Sequence, residues 1–204
     1  MNRWNQLSNE ETLNRTIENI KARGINVILV DNKAQALEKI KQLIPKDAEV
    51  YNGSSTTLAE IGFVDYLKAA RHGWKNLHEA VLKEKDQLKQ ASLRRKFVTA
   101  DYFLSSVNAI SKNGELVSCD ASGSRVTAHP FAAKNLILVV GTNKITNNLE
   151  DAMKRIREYA FPLENERAKK VYGMPSTIGK WVIIEREIFP GRTTLILVNE
   201  KLGF

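Results

Sequence analysis

Cysteine is almost absent from this 204-residue sequence, which contains one, Cys119. A single thiol cannot form a disulfide within the chain, and it cannot build a multi-cysteine zinc or iron–sulfur site. The full glycine fingerprint of dinucleotide-binding folds is missing as well, so NAD is not predicted. We therefore expect no cofactor in this chain.

Long apolar runs are also missing. No stretch of about 18 uninterrupted apolar residues occurs, so we expect no membrane span. Residues 1–6 lack the apolar core and the small-residue cleavage site of a signal peptide. Together with the scarcity of cysteine, these absences predict a cytoplasmic protein. The length and the 43% hydrophobic content predict a single domain over residues 1–204.

Basic residues exceed acidic ones, 31 to 23, which gives a formal charge of +8. Such an excess can indicate nucleic-acid binding, because Lys and Arg displace counterions from phosphates. Here the charges are dispersed, and Arg94-Arg95-Lys96 is the one tight run, with no nucleic-acid motif beside it. We expect nucleic acid not to be a partner, and favour a merely basic surface or attraction to a small anionic metabolite.

The order of the apolar segments predicts an α/β fold. A helix with a capping box at Ser8 and Glu11 precedes the strand Ile25–Val30, which is apolar enough to be covered on both faces. A second helix begins at Asn32, and Ala48–Tyr51 follows as a short strand. The alternation of helix and strand predicts a mostly parallel, Rossmann-like sheet flanked by helices.

The rest of the chain shows further apolar and turn patterns. The predicted features are a long charged helix from about Leu77 to Lys96, a hairpin turn at Asn113-Gly114, a buried strand at Leu136–Val140, a helix capped by Asn147 and Glu150, and a β-hairpin near the C-terminus made of Trp181–Glu185 and Thr193–Val198.

The strand-to-helix junction after Tyr51 is the strongest candidate for a binding site. Its residues are Asn52, Gly53, Ser54, Ser55, Thr56 and Thr57. Free backbone N–H groups and the positive end of a helix attract anions, and open α/β sheets bind ligands at the carboxyl ends of their strands. The alternative is a polar loop that caps the helix without a ligand, with Thr57 and Glu60 as the cap or Glu60 as a general base.

A second polar loop carries opposite charges. It consists of Asp120, Ala121, Ser122, Gly123, Ser124 and Arg125. Arg125 can hold a carboxylate or phosphate in bidentate fashion while Asp120 orients it; the alternative is a structural ion pair. Asn108, Glu115 and Lys144 complete the candidates for ligand binding, although Glu115 and Lys144 can equally face solvent.

Histidine and cysteine give weaker indications. His129 follows the second loop and is a candidate proton carrier near neutral pH. His72 and His78 lack the spacing of metal ligands, so we predict no metal site and a surface role for both. Cys119 is expected to be a buried, inert thiol.

Several segments together resemble the LUD (lactate-utilisation) domain family. They are Tyr51–Gly62, Thr99–Ile110, Asn113–Leu116, Asp120–Arg125, Val139–Ile145, Pro190–Arg192 and Leu202–Phe204. Their order and spacing match the family from about Glu10 to Phe204. Two departures are the absence of the cysteine cluster that many relatives carry before the final strands, and Glu164 where relatives often have asparagine.

The resemblance implies a fold similar to that of ribose-5-phosphate isomerase, glucosamine-6-phosphate deaminase (NagB) and the coenzyme A transferases, in which loops after parallel strands hold anionic metabolites. It also implies a role in the oxidation of L-lactate to pyruvate, with iron–sulfur oxidoreductases as partner proteins. It supplies no agreed catalytic residue.

Three hypotheses for the function follow. The first is an accessory or ligand-binding component of lactate metabolism, with the two polar loops facing one anion pocket. The second is a stand-alone enzyme acting on a phosphosugar or an acyl-coenzyme A-type substrate, and the third is a basic scaffold that binds polyanions. A homo-oligomer is compatible with each of them.

Overall fold

The structure, a computed structural model, describes residues 3–204. Its strands are β1 (Asn26–Val30), β2 (Glu49–Asn52), β3 (Lys75–Asn76), β4 (Tyr102–Ser105), β5 (Ala109–Ser111), β6 (Leu116–Asp120), β7 (Asn135–Gly141), β8 (Ile145–Thr146), β9 (Lys180–Ile184) and β10 (Thr193–Val198). Its α-helices are α1 (Glu10–Ala22), α2 (Lys33–Leu43), α3 (Thr56–Glu60), α4 (Phe63–Lys68), α5 (Leu77–Lys83), α6 (Gln87–Phe97), α7 (Leu149–Arg155) and α8 (Phe161–Tyr172).

A six-stranded parallel sheet forms the centre of the molecule. Its strand order is β1-β10-β7-β4-β2-β3, and every neighbouring pair runs parallel. Alternate side chains of the two central strands point to opposite faces. Leu136 and Leu138 of β7 pack into one apolar cluster, whereas Ile137 and Val139 pack into another. The predicted α/β class with a mostly parallel sheet is therefore confirmed.

Helices cover both faces of this sheet. On one face α1 contributes Leu13, Ile17 and Ile20, and α5 contributes Val81. On the other face α2, α3 and α4 close the second cluster, with Ile40 of α2 fully buried. Among residues 3–204, no helix combines the length and the apolar character needed to cross a bilayer.

A smaller mixed sheet, ordered β8-β5-β6-β9, packs beside the large one. The predicted turn at Asn113-Gly114 joins its antiparallel strands β5 and β6. Ile110 and Leu116 face the first core cluster, whereas Ala109 and Val117 face helix α7 and the π-helical turn that follows it, Ile156–Ala160. The small sheet thus lies between the large sheet and the helix that carries Arg155.

The predicted hairpin near the C-terminus is wrong. Strand β9 pairs with β6 in the small sheet, whereas β10 inserts between β1 and β7 in the large sheet. The difference follows from burial, because all six residues of β10 are buried and a hairpin with the half-exposed β9 would leave part of them in water.

Strand β1 is also less covered than its composition suggests. It lies at the edge of the large sheet, and Leu29 remains 45% exposed.

The long charged helix predicted from Leu77 to Lys96 is interrupted. Helix α5 ends at Lys83, and the side chain of Asp86 accepts a hydrogen bond from the Lys89 amide to begin α6.

Three predicted helix caps are displaced by one or two residues. The caps are Asn9, Ser55 and Asn148 rather than Ser8, Thr57 and Asn147. In each case the predicted residue has another partner. Ser8 donates to the carbonyl of Thr142, Thr57 contacts Lys144, and Asn147 donates to the carboxylate of Asp151.

We predict that Leu197→Ala lowers the free energy of unfolding by about 2–5 kcal/mol, because Leu197 is fully buried in a central strand. Urea denaturation of the variant and of the wild type measures the change. Leu88→Ala is the matched control, since Leu88 is 84% exposed and its removal leaves no cavity. Equal losses in the two variants would contradict this account of the core.

Candidate functional site

Three adjacent strands of the large sheet end at the same edge. Strand β2 ends at Asn52, β4 at Ser105 and β7 at Gly141. Because the strands run parallel and neighbour one another, the segments that follow them meet there. We call this meeting point the strand-end site and define it by Asn52–Thr57, Ser105–Asn108, Arg125, Lys144 and Arg155.

The first predicted loop forms one wall of the strand-end site. Asn52, Gly53 and Thr57 are buried, Ser55 and Thr56 are half-buried, and Ser54 is exposed. The Asn52 amide donates to the Gly53 carbonyl at 3.2 Å, while the buried Asn52 Oδ1 has no hydrogen-bond partner among residues 3–204. The following helix α3 has five residues, and Ser55 already accepts from the Leu58 amide. The positive charge of the site therefore comes from side chains rather than from a helix end.

The second predicted loop packs directly against the first. A Cβ atom on Gly53 would lie 2.5 Å from Cγ of Arg125, so only glycine leaves room for the arginine stem. The Arg125 guanidinium donates to the carbonyls of Ser106 at 2.9 Å and Cys119 at 2.5 Å. Asp120 instead accepts from the Arg125 backbone amide at 3.0 Å, so it fixes the loop without pairing with the guanidinium.

Lys144 lies at the centre of the strand-end site and is buried. Its Nζ contacts Thr57 Oγ1 at 3.1 Å, Ser106 Oγ at 3.2 Å and the Val107 carbonyl at 3.2 Å. Burial, followed by the charges of Arg155 and Arg125, lowers the pKa of Lys144 well below its ordinary value. The segments that follow β2 and β4 thus hold Lys144 in place.

A backbone segment covers Lys144. A Cβ atom on Gly203 would lie 3.1 Å from Lys144 Nζ, and the Gly203 amide donates to Glu60 Oε2 at 2.7 Å. The preceding residue, Leu202, donates its amide to Asn143 Oδ1 at 3.1 Å. Glu60, considered from sequence as a cap or a general base, therefore holds the cover of the site.

Arg155 is a member of the strand-end site that the sequence analysis missed. Its side chain is fully buried, and it donates to the carbonyls of Trp4 at 2.9 Å and Asn108 at 2.5 Å. Its Nη2 is buried and has no hydrogen-bond partner in the described part of the chain. Burial lowers the pKa of Arg155 to about 10. Its position three residues after Ala152 places it on the same side of α7 as that apolar residue, which is the signal that the sequence offered.

The three cations share one short stretch of backbone. The carbonyls of Ser106, Val107 and Asn108 accept from Arg125, Lys144 and Arg155 respectively. Within residues 3–204 none of the three cations forms a salt bridge. Asp120 and Glu164 attract Arg125, and Glu60 attracts Lys144, only from longer range. Positive charge gathered in this way, with so little compensation, favours a bound anion.

The remaining candidates for ligand binding lie at different distances from the centre of the site. Asn108 belongs to the centre of the site, since its Oδ1 accepts from the Cys119 amide at 2.9 Å and from Arg125 at 3.4 Å. Glu115 lies apart, paired with Arg23 at 2.8 Å near the end of α1. Ser122 and Ser124 are exposed and hydrogen-bond to each other, and Gly123 lies against the stem of Lys180.

The histidines and the cysteine differ in their surroundings. Burial, with the charges of Arg125 and Arg192, lowers the pKa of His129 well below its ordinary value, so the ring is neutral near neutral pH. His78, expected at the surface, lies beside Tyr51 and hydrogen-bonds to the backbone of Asn52. Burial raises the pKa of the half-buried Cys119 thiol. The described residues contain no group of three or more His, Cys, Asp or Glu able to hold a metal.

Comparison with known proteins identified a family and a solved structure of similar fold. The model of the LUD domain matches residues 13–198. A crystal structure of a DUF162 family protein from Deinococcus radiodurans is similar in fold, with a TM-score of 0.56 and 15% sequence identity over 95% of this chain and 100% of that chain. No match was found among curated proteins.

We predict that His129→Gln removes part of the acid sensitivity of the fold. The folded state lowers the pKa of His129, so protons bind the unfolded state more readily and stability falls as the pH drops below the unfolded pKa. Between about pH 7 and about pH 5, the free energy of unfolding of the wild type relative to that of His129→Gln should fall by up to about 1.4 kcal/mol per pH unit. Denaturant unfolding across this range measures it. A difference that does not change with pH would contradict the buried, neutral ring.

Proposed function

The chain belongs to the LUD domain family, and on that premise we propose that it serves lactate utilisation as an accessory protein that binds a small anionic metabolite at the strand-end site. The observation that carries this proposal is the meeting of Arg125, Lys144 and Arg155 over the carbonyls of residues 106–108 without a salt bridge to any residue that the structure describes. An anion bound there would supply the missing negative charge.

A small carboxylate suits these groups. Guanidinium groups bind carboxylates through paired, charge-assisted hydrogen bonds, and Arg155 has a buried Nη2 without a partner. Asn52 Oδ1, also buried and without a partner, suits a hydroxyl donor. Lactate carries a carboxylate next to a hydroxyl, and pyruvate carries one next to a carbonyl. Lactate therefore matches both groups, whereas pyruvate matches the guanidinium groups alone.

We further propose that iron–sulfur oxidoreductases are the partners of this chain. Oxidation of lactate to pyruvate requires an electron acceptor, and the one cysteine of the sequence cannot ligate a cluster. The family's association with such proteins supports this division of labour. The chain would then hold the carboxylate metabolite while the partner carries the electrons.

We predict that lactate and pyruvate stabilise the purified protein against heat and that lactamide, the uncharged analogue of lactate, does not. At a ligand concentration about 100 times the Kd, the gain is about 2.7 kcal/mol. Arg125→Ala should weaken binding by at least about 10-fold, because a charge-assisted hydrogen bond is lost. Thermal-shift titration and calorimetry measure both effects.

Arg71→Ala is the control, since Arg71 is exposed and lies outside the strand-end site. It should retain the full response to lactate. Equal stabilisation by lactamide, or equal loss in the two arginine variants, would argue against a carboxylate at this site. Turnover of lactate by the pure chain would replace the accessory role with an enzymatic one.

A further inference from the structure

The contacts of Lys144 accommodate an uncharged amine as well as an ammonium group. An ammonium group can only donate hydrogen bonds, whereas a neutral amine has two N–H groups and one lone pair. Thr57 and Ser106 present hydroxyls that can donate or accept, and Val107 presents a carbonyl that only accepts. A neutral Nζ can therefore donate to Val107 and to one hydroxyl while accepting from the other. The free amine is fully satisfied in this position.

The charges of Arg125 and Arg155 favour the uncharged form of Lys144. Arg125 and Arg155 meet Lys144 over the same backbone stretch, and with burial they lower its pKa well below the ordinary value. Lysines desolvated in this way beside other cations become nucleophilic near neutral pH. The two arginines also offer donors to a carboxylate. A buried amine of lowered pKa and two guanidinium groups thus lie together.

We propose that Lys144 captures the carbonyl carbon of a small 2-oxo acid as an imine, while Arg125 and Arg155 bind its carboxylate. This inference rests on the anion site proposed above and deepens it by naming the ligand class and a covalent step. It concerns 2-oxo acids such as pyruvate, because a 2-hydroxy acid has no carbonyl for the amine to attack.

The step balances without a further reactant. The Nζ lone pair attacks the carbonyl carbon, a C–N bond forms, and the carbonyl oxygen takes up a proton released by nitrogen to give a carbinolamine. Nitrogen then loses its second proton to the departing oxygen, the C–O bond breaks, and water leaves as C=N forms. The hydroxyls of Thr57 and Ser106 lie at 3.1 and 3.2 Å from Nζ, close enough to relay these protons.

Access to the amine requires a local movement. The segment at Gly203 covers Nζ and is held there by the hydrogen bond to Glu60, a residue that is itself exposed. A shallow surface cavity of about 450 Å³ lies next to this cover and is lined by Glu60 and Leu202 among others. Displacement of the cover would open Lys144 to that cavity.

Reduction with sodium borohydride tests the proposal, because it converts an imine into a stable secondary amine. The protein is incubated with pyruvate and borohydride, and intact mass and peptide mapping follow. We expect a mass gain of one pyruvate less one water plus two hydrogens, located on the peptide that carries Lys144. Acetone, a ketone without a carboxylate, should label Lys144 at least about 10-fold less at equal concentration.

Lys144→Met should remove the adduct, whereas Lys134→Met, which changes an exposed lysine, should keep it. Peptide mapping of the wild type locates the adduct even where Lys144→Met does not fold. Labelling of other lysines to the same extent, or equal labelling by acetone, would overturn the proposal. Stabilisation by pyruvate and lactate without an adduct would overturn the imine alone and leave the anion site standing. Neither stabilisation nor an adduct would overturn both.

Discussion

The side chains of Arg125, Lys144 and Arg155 meet over the carbonyls of residues 106–108, and none of them has a salt-bridge partner within the described chain. A buried cation loses its hydration, so an isolated one is costly unless dipoles or an anion replace the water. Backbone carbonyls supply part of that replacement here. The incomplete compensation explains both the lowered pKa of Lys144 and the preference for an anionic ligand.

Each of the three cations reaches this point on a different part of the fold. Lys144 follows the central strand β7, whose carboxyl end lies beside those of β2 and β4. Arg125 comes from the loop after β6 of the small sheet, and its stem fits against Gly53 because that residue has no side chain. Arg155 comes from α7, which covers the outer face of the small sheet. The small sheet therefore brings Arg125 and Arg155 to the carboxyl ends of the large sheet's strands, where Lys144 lies.

Sequence patterns were sufficient to predict a mostly parallel sheet, because strands such as β7 are nearly continuous apolar runs. They also singled out Asn52–Thr57 and Asp120–Arg125, and the structure places Gly53 of the first loop against the stem of Arg125 in the second. They failed where the decisive information was tertiary. The partner strands of β9 and β10 depend on how deeply each is buried, and nothing local distinguishes them from a hairpin.

The same limit applies to single side chains. Lys144 and Glu115 are both charged residues in polar turns, yet one is enclosed by strand ends and the other pairs with Arg23. The position of Arg155 on the same side of α7 as Ala152 does not by itself show that an arginine is buried, because its long stem can carry the charge to solvent. The π-helical turn Ile156–Ala160 directly follows Arg155 and precedes Pro162. Proline has no backbone N–H, and its ring clashes with the carbonyl four residues earlier, so Pro162 favours a widened turn there.

The most direct measurement is an NMR titration of protein labelled with ¹³C at the lysine Cε, in which the Lys144 resonance is assigned by its absence from Lys144→Met. The account predicts that Lys144 titrates well below the other lysines in the free protein. It also predicts that saturating lactate, which cannot form an imine, raises the pKa of Lys144, because a nearby anion favours the charged amine. A Lys144 resonance that titrates with the surface lysines, or one that lactate leaves unchanged, would contradict an anion site built on these three cations.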